Sequence, residues 1–512
     1  MTFEKISDFF KKIDYALLLI VLLGGALRFV NLNYSDFQGD EIRALYIPIQ
    51  GESFINFLLR QRKGPFQFLI SYLVSLVDPT FTHYFIDRLP FALAGTLSLI
   101  FFYLFAKKLF NSRVAFFSGL FLATNGFFVA LSRILQYQGF VFLFCSITLY
   151  LFADLYKNPT KTKNIFLGMF FWALSMLTHY DGIFIAPIIA YFIFEWWRAR
   201  KDFVIKKKLI LLFLSGIVPL ILMVVFYGAL VFSLSLETKQ YWSGRLTGTI
   251  SSKNSSSINL FNVYQPFLAL YLYAMLLVGA VVTALVALIK KVKIPYVYFV
   301  LIVWAAAPLA FMETLVSIPG THIYTYILPI IFIMSVTLDI FYSLISKIKL
   351  GALILRSLVI IVFSFLAYQS YMIFVDNTKE YPWEDEQFIF WTLKSPDINK
   401  YNLSLFGFPY YRNWQAISEF TKKFPEVSAY TSNENNAISN YYLRKEKNTE
   451  KAGFYVYIRN PQTFKGQTNN EKYLYWSSKN APVFTISRKG ESLVNVYLMP
   501  VGTYLELVQK GY

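Results

Sequence analysis

The chain has 512 residues, 56% apolar and 19% aromatic but only 15% charged, yet its net charge is +18. This excludes a disordered chain, and 24 Gly with 19 Pro exclude a fibrous or low-complexity one. The single cysteine, Cys145, excludes a disulfide scaffold. A spanning helix takes about 20 apolar residues, so the composition predicts a polytopic membrane protein.

In chain order, apolar stretches fall near 14–30, 66–77, 86–106, 114–131, 136–156, 164–178, 182–197, 207–233, 265–289, 294–312, 322–345 and 351–375. The first lacks a small-residue cleavage site and runs straight into Arg28 and a polar loop, so it reads as a span and not a signal peptide. Basic clusters follow at Lys5, Lys11 and Lys12, at Lys107, Lys108 and Arg113, and at Lys157, Lys161 and Lys163. Others lie at Arg198 to Lys208, at Lys290, Lys291 and Lys293, and at Lys347, Lys349 and Arg356. Placing all six in the cytoplasm requires two spans between neighbours. Three apolar stretches precede Lys107, so the short 66–77 is expected as a re-entrant or interfacial helix. The result is about 11 spans, N-terminus cytoplasmic and C-terminus extracytoplasmic. The positive charge then sets topology and is no sign of nucleic acid.

Residues 377–512 lose the long apolar runs and carry 17 basic and 13 acidic residues, a net +4, against +14 for residues 1–376. A helical signal at Gln415–Phe424 and strand-like runs at Gly453–Ile458 and Ser492–Met499 predict a small soluble α+β domain. The expected division is a membrane domain over 1–376 and an outer domain over 377–512. The Ser-rich loop 243–257 is expected to be mobile.

On this topology the outer face collects five polar constellations. The first loop has Asp36, Asp40 and Glu41 within six residues, followed by Tyr46. Asp40 reads either as the N-cap of a helix starting at Glu41 or as a catalytic carboxylate, and capping does not exclude catalysis. Arg60, Arg62 and Lys63 lie on the side the charge rule disfavours. They read as a solvated cluster or as a site for an anionic headgroup. Ser132-Arg133 is a snorkelling rim arginine or a phosphate fork. Thr178-His179-Tyr180-Asp181-Gly182 is a bare hairpin turn or a functional pair at membrane depth. Glu313 and the run from Pro319 through His322 to Tyr326 read as loop and interfacial aromatics. No zinc spacing, P-loop or dinucleotide fingerprint occurs, so a structural zinc site and nucleotide chemistry are not expected.

In this order these residues resemble the GT-C glycosyltransferases. The likeness is to the family 39-like group, related to protein O-mannosyltransferases and to lipid A aminoarabinose and galacturonic acid transferases. It spans roughly residues 10–345. It rests on Asp40-Glu41 with Tyr46, Gly64-Pro65-Phe66, Arg88-Leu89-Pro90, Lys107 to Phe110, Ser132-Arg133 with Tyr137, Thr178 to Gly182, and Tyr324 to Pro329. The group often has two prolines where this chain has Gly64-Pro65.

The resemblance implies an all-α membrane domain and an inverting transferase. It would move a sugar from a polyprenyl-phosphate donor to a glycan, lipid or protein acceptor at the outer face of the cytoplasmic membrane. Inverting hydrolysis needs an acid and a base. A polyprenyl phosphate leaves as an anion, so one base and nearby cations suffice. The implied base is Asp40, with Glu41 seconding it. Arg133, Lys63, His179 and Arg88 would hold the donor phosphate. Asp36, Tyr46, Tyr180, Asp181 and His322 would face acceptor or sugar. Some relatives place a divalent metal ion near the phosphate, and Asp40, Glu41 and His179 could supply ligands. The alternatives are a lipid or polysaccharide transporter or flippase, for which Asp339 is a rare mid-span charge, and a non-catalytic scaffold.

Overall fold

The computed structural model describes residues 14–61, 64–233, 236, 239–240, 243–244, 270–289, 291, 294–316, 320–348, 350–381, 383, 386–388, 391–393, 407–448, 451, 453–462 and 471–510. Residues 245–257 of the Ser-rich loop lie outside them.

The helices in chain order are α1 (Tyr15–Phe29), α2 (Gly39–Ile42), α3 (Phe54–Arg60), α4 (Pro65–Ser75), α5 (Tyr84–Leu109), α6 (Ser112–Thr124), α7 (Gly126–Arg133), α8 (Gln138–Lys157) and α9 (Lys163–Thr178). After a 3-10 turn at Tyr180–Ile185 come α10 (Ala186–Ala199), α11 (Ile205–Ser233), α12 (Leu270–Ile289) and α13 (Tyr296–Leu315). A second 3-10 turn at Gly320–Ile323 precedes α14 (Tyr324–Ile345) and α15 (Gly351–Phe374).

Among the described residues, six helices are long and apolar enough to cross a membrane: α5, α8, Tyr180–Ala199, α11, Thr321–Ile345 and α15. The pair α6 and α7 passes the same test as one span bent by 56°. Five shorter apolar helices complete the set, among them α1, α4 and α9. Each of the twelve apolar stretches of the sequence is therefore helical over its described residues, and the chain is a multi-pass membrane protein. The stretch 66–77 forms the 11-residue α4, too short to span alone.

The bend shows how a broken helix survives in apolar surroundings. A helix end leaves carbonyls without partners, and hydrocarbon offers none. The carbonyls ending α6 are met by side chains. Arg28 of α1 donates to Leu122 O (3.1 Å) and Ala123 O (3.2 Å), and Ser370 of α15 donates to Thr124 O (2.5 Å). Asn125 restarts the chain as the N-cap of α7, its side-chain oxygen accepting the N–H of Phe127 at 3.0 Å. Arg133, the last residue of α7, donates to Leu27 O and Val30 O at the end of α1, both at 2.9 Å.

The described chain divides into two compact units. The first comprises Met1–Val30, Tyr46–Leu73 and Leu89–Val375; the second comprises Asn31–Leu45, Val74–Arg88 and Asp376–Tyr512. One cut falls between Val375 and Asp376, but the second unit also takes in two early outer segments that the sequence division assigns to the membrane domain.

The second unit holds a small hairpin of β1 (Glu386–Phe388) and β2 (Trp391–Leu393), and a five-stranded mixed sheet. The sheet's strands are β3 (Ala429–Ser432), β4 (Glu446–Lys447), β5 (Gly453–Ile458), β6 (Phe484–Arg488) and β7 (Glu491–Met499), in the order β4-β3-β5-β7-β6. The central β5, GFYVYI, is buried along nearly its whole length, while the edge strand β6 alternates in exposure. Gly453 is needed where β5 meets β3, because a Cβ there would lie 2.4 Å from Ala429 O. Among its described residues after Val375 the unit also has the helices α16 (Trp414–Lys422), α17 (Asn436–Leu443), α18 (Glu471–Ser478) and α19 (Thr503–Gln509). The helix expected at Gln415–Phe424 and the strands expected at Gly453–Ile458 and Ser492–Met499 are all present, as α16, β5 and β7.

Candidate active site

The first outer loop, in the second unit, is built around Glu41 and Arg88. Gln38 is extended and the chain becomes helical at Gly39, so Gln38, and not Asp40, occupies the N-cap. The expectation of an Asp40 cap is corrected by the start of α2 two residues earlier than the pattern suggests. Glu41 lies three residues past the cap, and its Oε2 accepts the Gln38 N–H at 3.1 Å. The buried Glu41 also forms a forked ion pair with Arg88, through Nε to Oε1 at 2.7 Å and Nη2 to Oε2 at 2.8 Å. Arg88 further donates to Leu32 O (3.0 Å), Ser35 O (2.9 Å) and Asp36 O (3.1 Å). All five of its N–H groups are thereby used. Arg88 holds the loop in shape and retains no donor for a phosphate, which corrects the role the resemblance implied for it.

The three carboxylates of the loop thus differ. Glu41 is locked by Arg88. Asp36 is buried and accepts N–H groups from Arg412 (2.6 Å) and Trp414 (3.3 Å) and the hydroxyl of Tyr84 (3.3 Å). Burial outweighs these bonds and pushes its pKa up to about 6. Asp40 stays partly open, with 31% of its side chain exposed, and its ionic partner is the exposed Arg43 at 3.8 Å.

In the first unit, Arg133 is buried and engaged with the end of α1, as described above. Arg60 forms a forked pair with Glu52 at 2.8 Å for both bonds. Arg62 and Lys63 lie outside the described residues. Tyr46 packs among Phe54, Phe57 and Tyr72, with ring centroids 5.6, 4.8 and 5.1 Å away. Gly64 opens α4 against the end of α9, where a Cβ would fall 2.0 Å from Leu177 O. Close approach explains glycine there.

His179, Asp181 and His322 come together from two helix breaks. Helix α9 stops at Thr178, His179 is extended (φ −161°, ψ 145°), and the 3-10 turn begins at Tyr180. Gly182 makes the tight return possible, since a Cβ would lie 2.4 Å from Ser175 Oγ. His322 enters from the turn before α14 and sets its Nδ1 2.7 Å from Asp181 Oδ2. The Tyr324 hydroxyl donates to the same oxygen at 2.6 Å. His179 Nδ1 lies 3.2 Å from Asp181 Oδ1 and accepts the Asp181 N–H, also at 3.2 Å. The Tyr137 ring stacks on His179 with centroids 3.8 Å apart and planes 7° apart. Tyr180, 45% exposed, packs on the other imidazole contacts, 3.8 Å from His179 and 6.0 Å from His322.

Several residues were not among the sequence candidates. Asp87 is buried with neither carboxylate oxygen hydrogen-bonded, and its only sequence signal is its position beside Arg88. Arg412 donates its N–H to Asp36 and pairs with Glu380 at 2.8 Å. Both lie in the C-terminal part, outside the span of the resemblance. Tyr137 and Tyr324 stood in the motifs but without a role.

The chain has the GT-C fold of membrane glycosyltransferases. A sequence model of the dolichyl-phosphate-mannose-protein mannosyltransferase family matches residues 66–227. The structure of ArnT from Cupriavidus metallidurans bound to undecaprenyl phosphate superimposes with a TM-score of 0.52 at 13% identity, covering 94% of this chain and 97% of that one. Its apo form gives 0.50 at 12% identity with the same coverage. The Archaeoglobus fulgidus oligosaccharyltransferase tethered to an acceptor peptide gives a lower TM-score of 0.48 at 12% identity, covering 85% of this chain and 63% of that one. No curated protein sequence matches.

Proposed function

We propose that the protein is an inverting glycosyltransferase that moves a sugar from a polyprenyl-phosphate donor to a glycan, lipid or protein acceptor. The reaction is assigned to the outer face of the cytoplasmic membrane, with the N-terminus in the cytoplasm and residues 377–512 as an extracytoplasmic domain. The observation that carries the mechanism is the difference among the loop carboxylates: Asp36 and Glu41 are buried and committed, and Asp40 is the one left accessible.

Asp40 then acts as general base, taking the proton of the acceptor hydroxyl as its oxygen attacks the anomeric carbon. The bond to the donor phosphate breaks on the opposite face, which inverts the centre. The polyprenyl phosphate departs as an anion and needs no acid. Glu41 and Arg88 act as positioning residues that fix the loop carrying Asp40. Lys63, Arg133 and His179 are the residues proposed to hold the leaving phosphate. Asp36, Tyr46, Tyr180, Asp181 and His322 remain the proposed acceptor or sugar side. The undecaprenyl phosphate in ArnT supports a donor of this class for the shared fold.

The transporter or flippase alternative needs an ionisable group free near the midplane. Asp339, its candidate, accepts a 2.7 Å bond from Asn111 and is paired with Arg113, both at the start of α6. That explains it as a structural contact.

Replacing Asp40 by Asn should lower transfer from a polyprenyl-phosphate sugar by at least about 10²-fold, with membrane insertion and thermal stability unchanged. The check is product formation with a purified lipid-linked sugar pool in proteoliposomes. Undiminished turnover would overturn the base assignment, and substrate translocation without glycoside formation would favour the flippase.

A further inference from the structure

We infer that His179, Asp181 and His322 bind one divalent metal ion of the zinc class. One nitrogen from each imidazole and one carboxylate oxygen all lie within 4.8 Å of one another. Two atoms on a shared zinc ion, at bonds of about 2.0–2.2 Å, lie no more than about 4.4 Å apart, so a few tenths of an ångström of closure completes the set. Two imidazoles and one carboxylate form a donor set suited to zinc and its neighbours, while magnesium and calcium favour all-oxygen sites.

The hydrogen bonds around Asp181 favour a cation over a plain ion pair. Oδ2 takes two donors, His322 Nδ1 at 2.7 Å and the Tyr324 hydroxyl at 2.6 Å. Oδ1 is buried and carries no hydrogen bond. The group facing it, His179 Nδ1 at 3.2 Å, is already an acceptor for the Asp181 N–H. Two acceptors thus face each other in a buried place, and a metal ion between them supplies the missing positive charge. On binding, a neutral His322 moves its Nδ1 proton to Nε2, and no electron transfer is involved. The ligands come from breaks about 140 residues apart, so no sequence spacing announces the site. Stacking by Tyr137 and the bond from Tyr324 fix the ligand orientations from outside the set.

Three protein ligands leave a fourth position open. That position suits a phosphate oxygen, and this use alone rests on the transferase reading; the site itself does not. His179 would then act on the donor phosphate through the ion.

The test uses full-length, untagged protein in detergent, stripped with a chelator and titrated with Co²⁺ under visible absorption, then with Zn²⁺ in competition. One ion per chain with tetrahedral Co²⁺ bands is expected. Asp181→Asn and His322→Gln should each weaken binding at least about 10-fold, and His83→Gln, altering the exposed third histidine, should leave it unchanged. Zinc-edge X-ray absorption of the wild type reads the ligands without any variant, and should show two imidazoles plus oxygen. Less than about 0.1 ion per chain, equal affinity in the variants, or a spectrum lacking imidazole would overturn the proposal. Binding is read with no sugar transfer, so this result and that of Asp40→Asn fail independently.

Discussion

Two buried arginines of the first compact unit can be set against two of the second. In the first, Arg28 and Arg133 both donate to main-chain carbonyls at helix ends. In the second, Arg88 and Arg412 also reach main-chain carbonyls but pair in addition with the carboxylates Glu41 and Glu380. The difference follows from the surroundings. Among apolar helices the costly groups are backbone carbonyls left by a break, for which water is absent. At Arg88 in the second unit the costly group is the buried carboxylate of Glu41, which demands a cation. The same side chain solves two different desolvation problems, and each solution can be broken separately.

The largest effect is expected at Arg88. Removing it as Arg88→Ala leaves Glu41 buried and unpaired and frees the carbonyls of Leu32, Ser35 and Asp36. Breaking one partner of a buried pair costs about 3–5 kcal/mol, and thermal unfolding of the purified protein should show a loss of that order. Hydrogen exchange over residues 31–45 should rise at the same time. A lysine at 88 restores charge but not the fork, so it should recover less than half of the loss. A full recovery by lysine would show that charge alone, without geometry, holds the loop.

At Arg28 the expected loss is smaller. Arg28→Met strands the carbonyls of Leu122 and Ala123 but relieves the burial of a charge whose Nε has no hydrogen bond. The net destabilisation should be about 2–3 kcal/mol, read by the same unfolding measurement, with exchange rising around residues 122–128 and not at 31–45. Equal exchange in both places would dissolve the contrast between the units.

How much of this was legible beforehand depends on distance along the chain. The twelve apolar stretches, the strand Gly453–Ile458 and the helix near Gln415 are local patterns, and sequence periodicity places them. The loop carboxylates were visible because Asp36, Asp40 and Glu41 fall within six residues. Their division of labour was not, because it depends on Arg88, 47 residues on, and on Arg412, 376 residues on. His179 and Asp181 stood in one motif, but their convergence with His322 is a product of two helix breaks, which hydropathy does not register. The position of residues 31–45 and 74–88 in the second unit was missed for the same reason.

The second unit's buried carboxyls give a pH test. Burial raises Glu434 to about 7 and Asp36 to about 6. The folded state then holds protons that the unfolded state has lost, so the contribution of these two groups to stability is greatest at low pH and is lost as pH rises through these values. Asp36 contributes up to about pH 6, and Glu434 continues to about pH 7. In Glu434→Gln the amide oxygen can keep the Asn435 N–H bond (2.7 Å), and Tyr410 retains Asn460 O as acceptor at 2.9 Å. The variant should therefore fold, and its decline should end near pH 6. The wild type should lose about 1 kcal/mol more between pH 6 and 7, seen as a steeper fall in unfolding temperature. Parallel pH profiles would remove Glu434 from the argument.

The smallest effect probes the first unit without touching a charge. Asn125 accepts the Phe127 N–H at 3.0 Å and so starts α7 just where α6 stops. Asn125→Ala removes that acceptor and leaves the Arg28 contacts to Leu122 and Ala123 intact. A lost cap costs about 0.5–1 kcal/mol, and the Arg28 and Ser370 contacts that remain should keep the loss in that range. Asn125→Asp restores an acceptor at the cost of a buried charge near the positive end of α7. It should therefore fall between alanine and the wild type. A variant in which alanine is neutral would mean that Arg28 and Ser370, from the other side of the break, hold the bend by themselves.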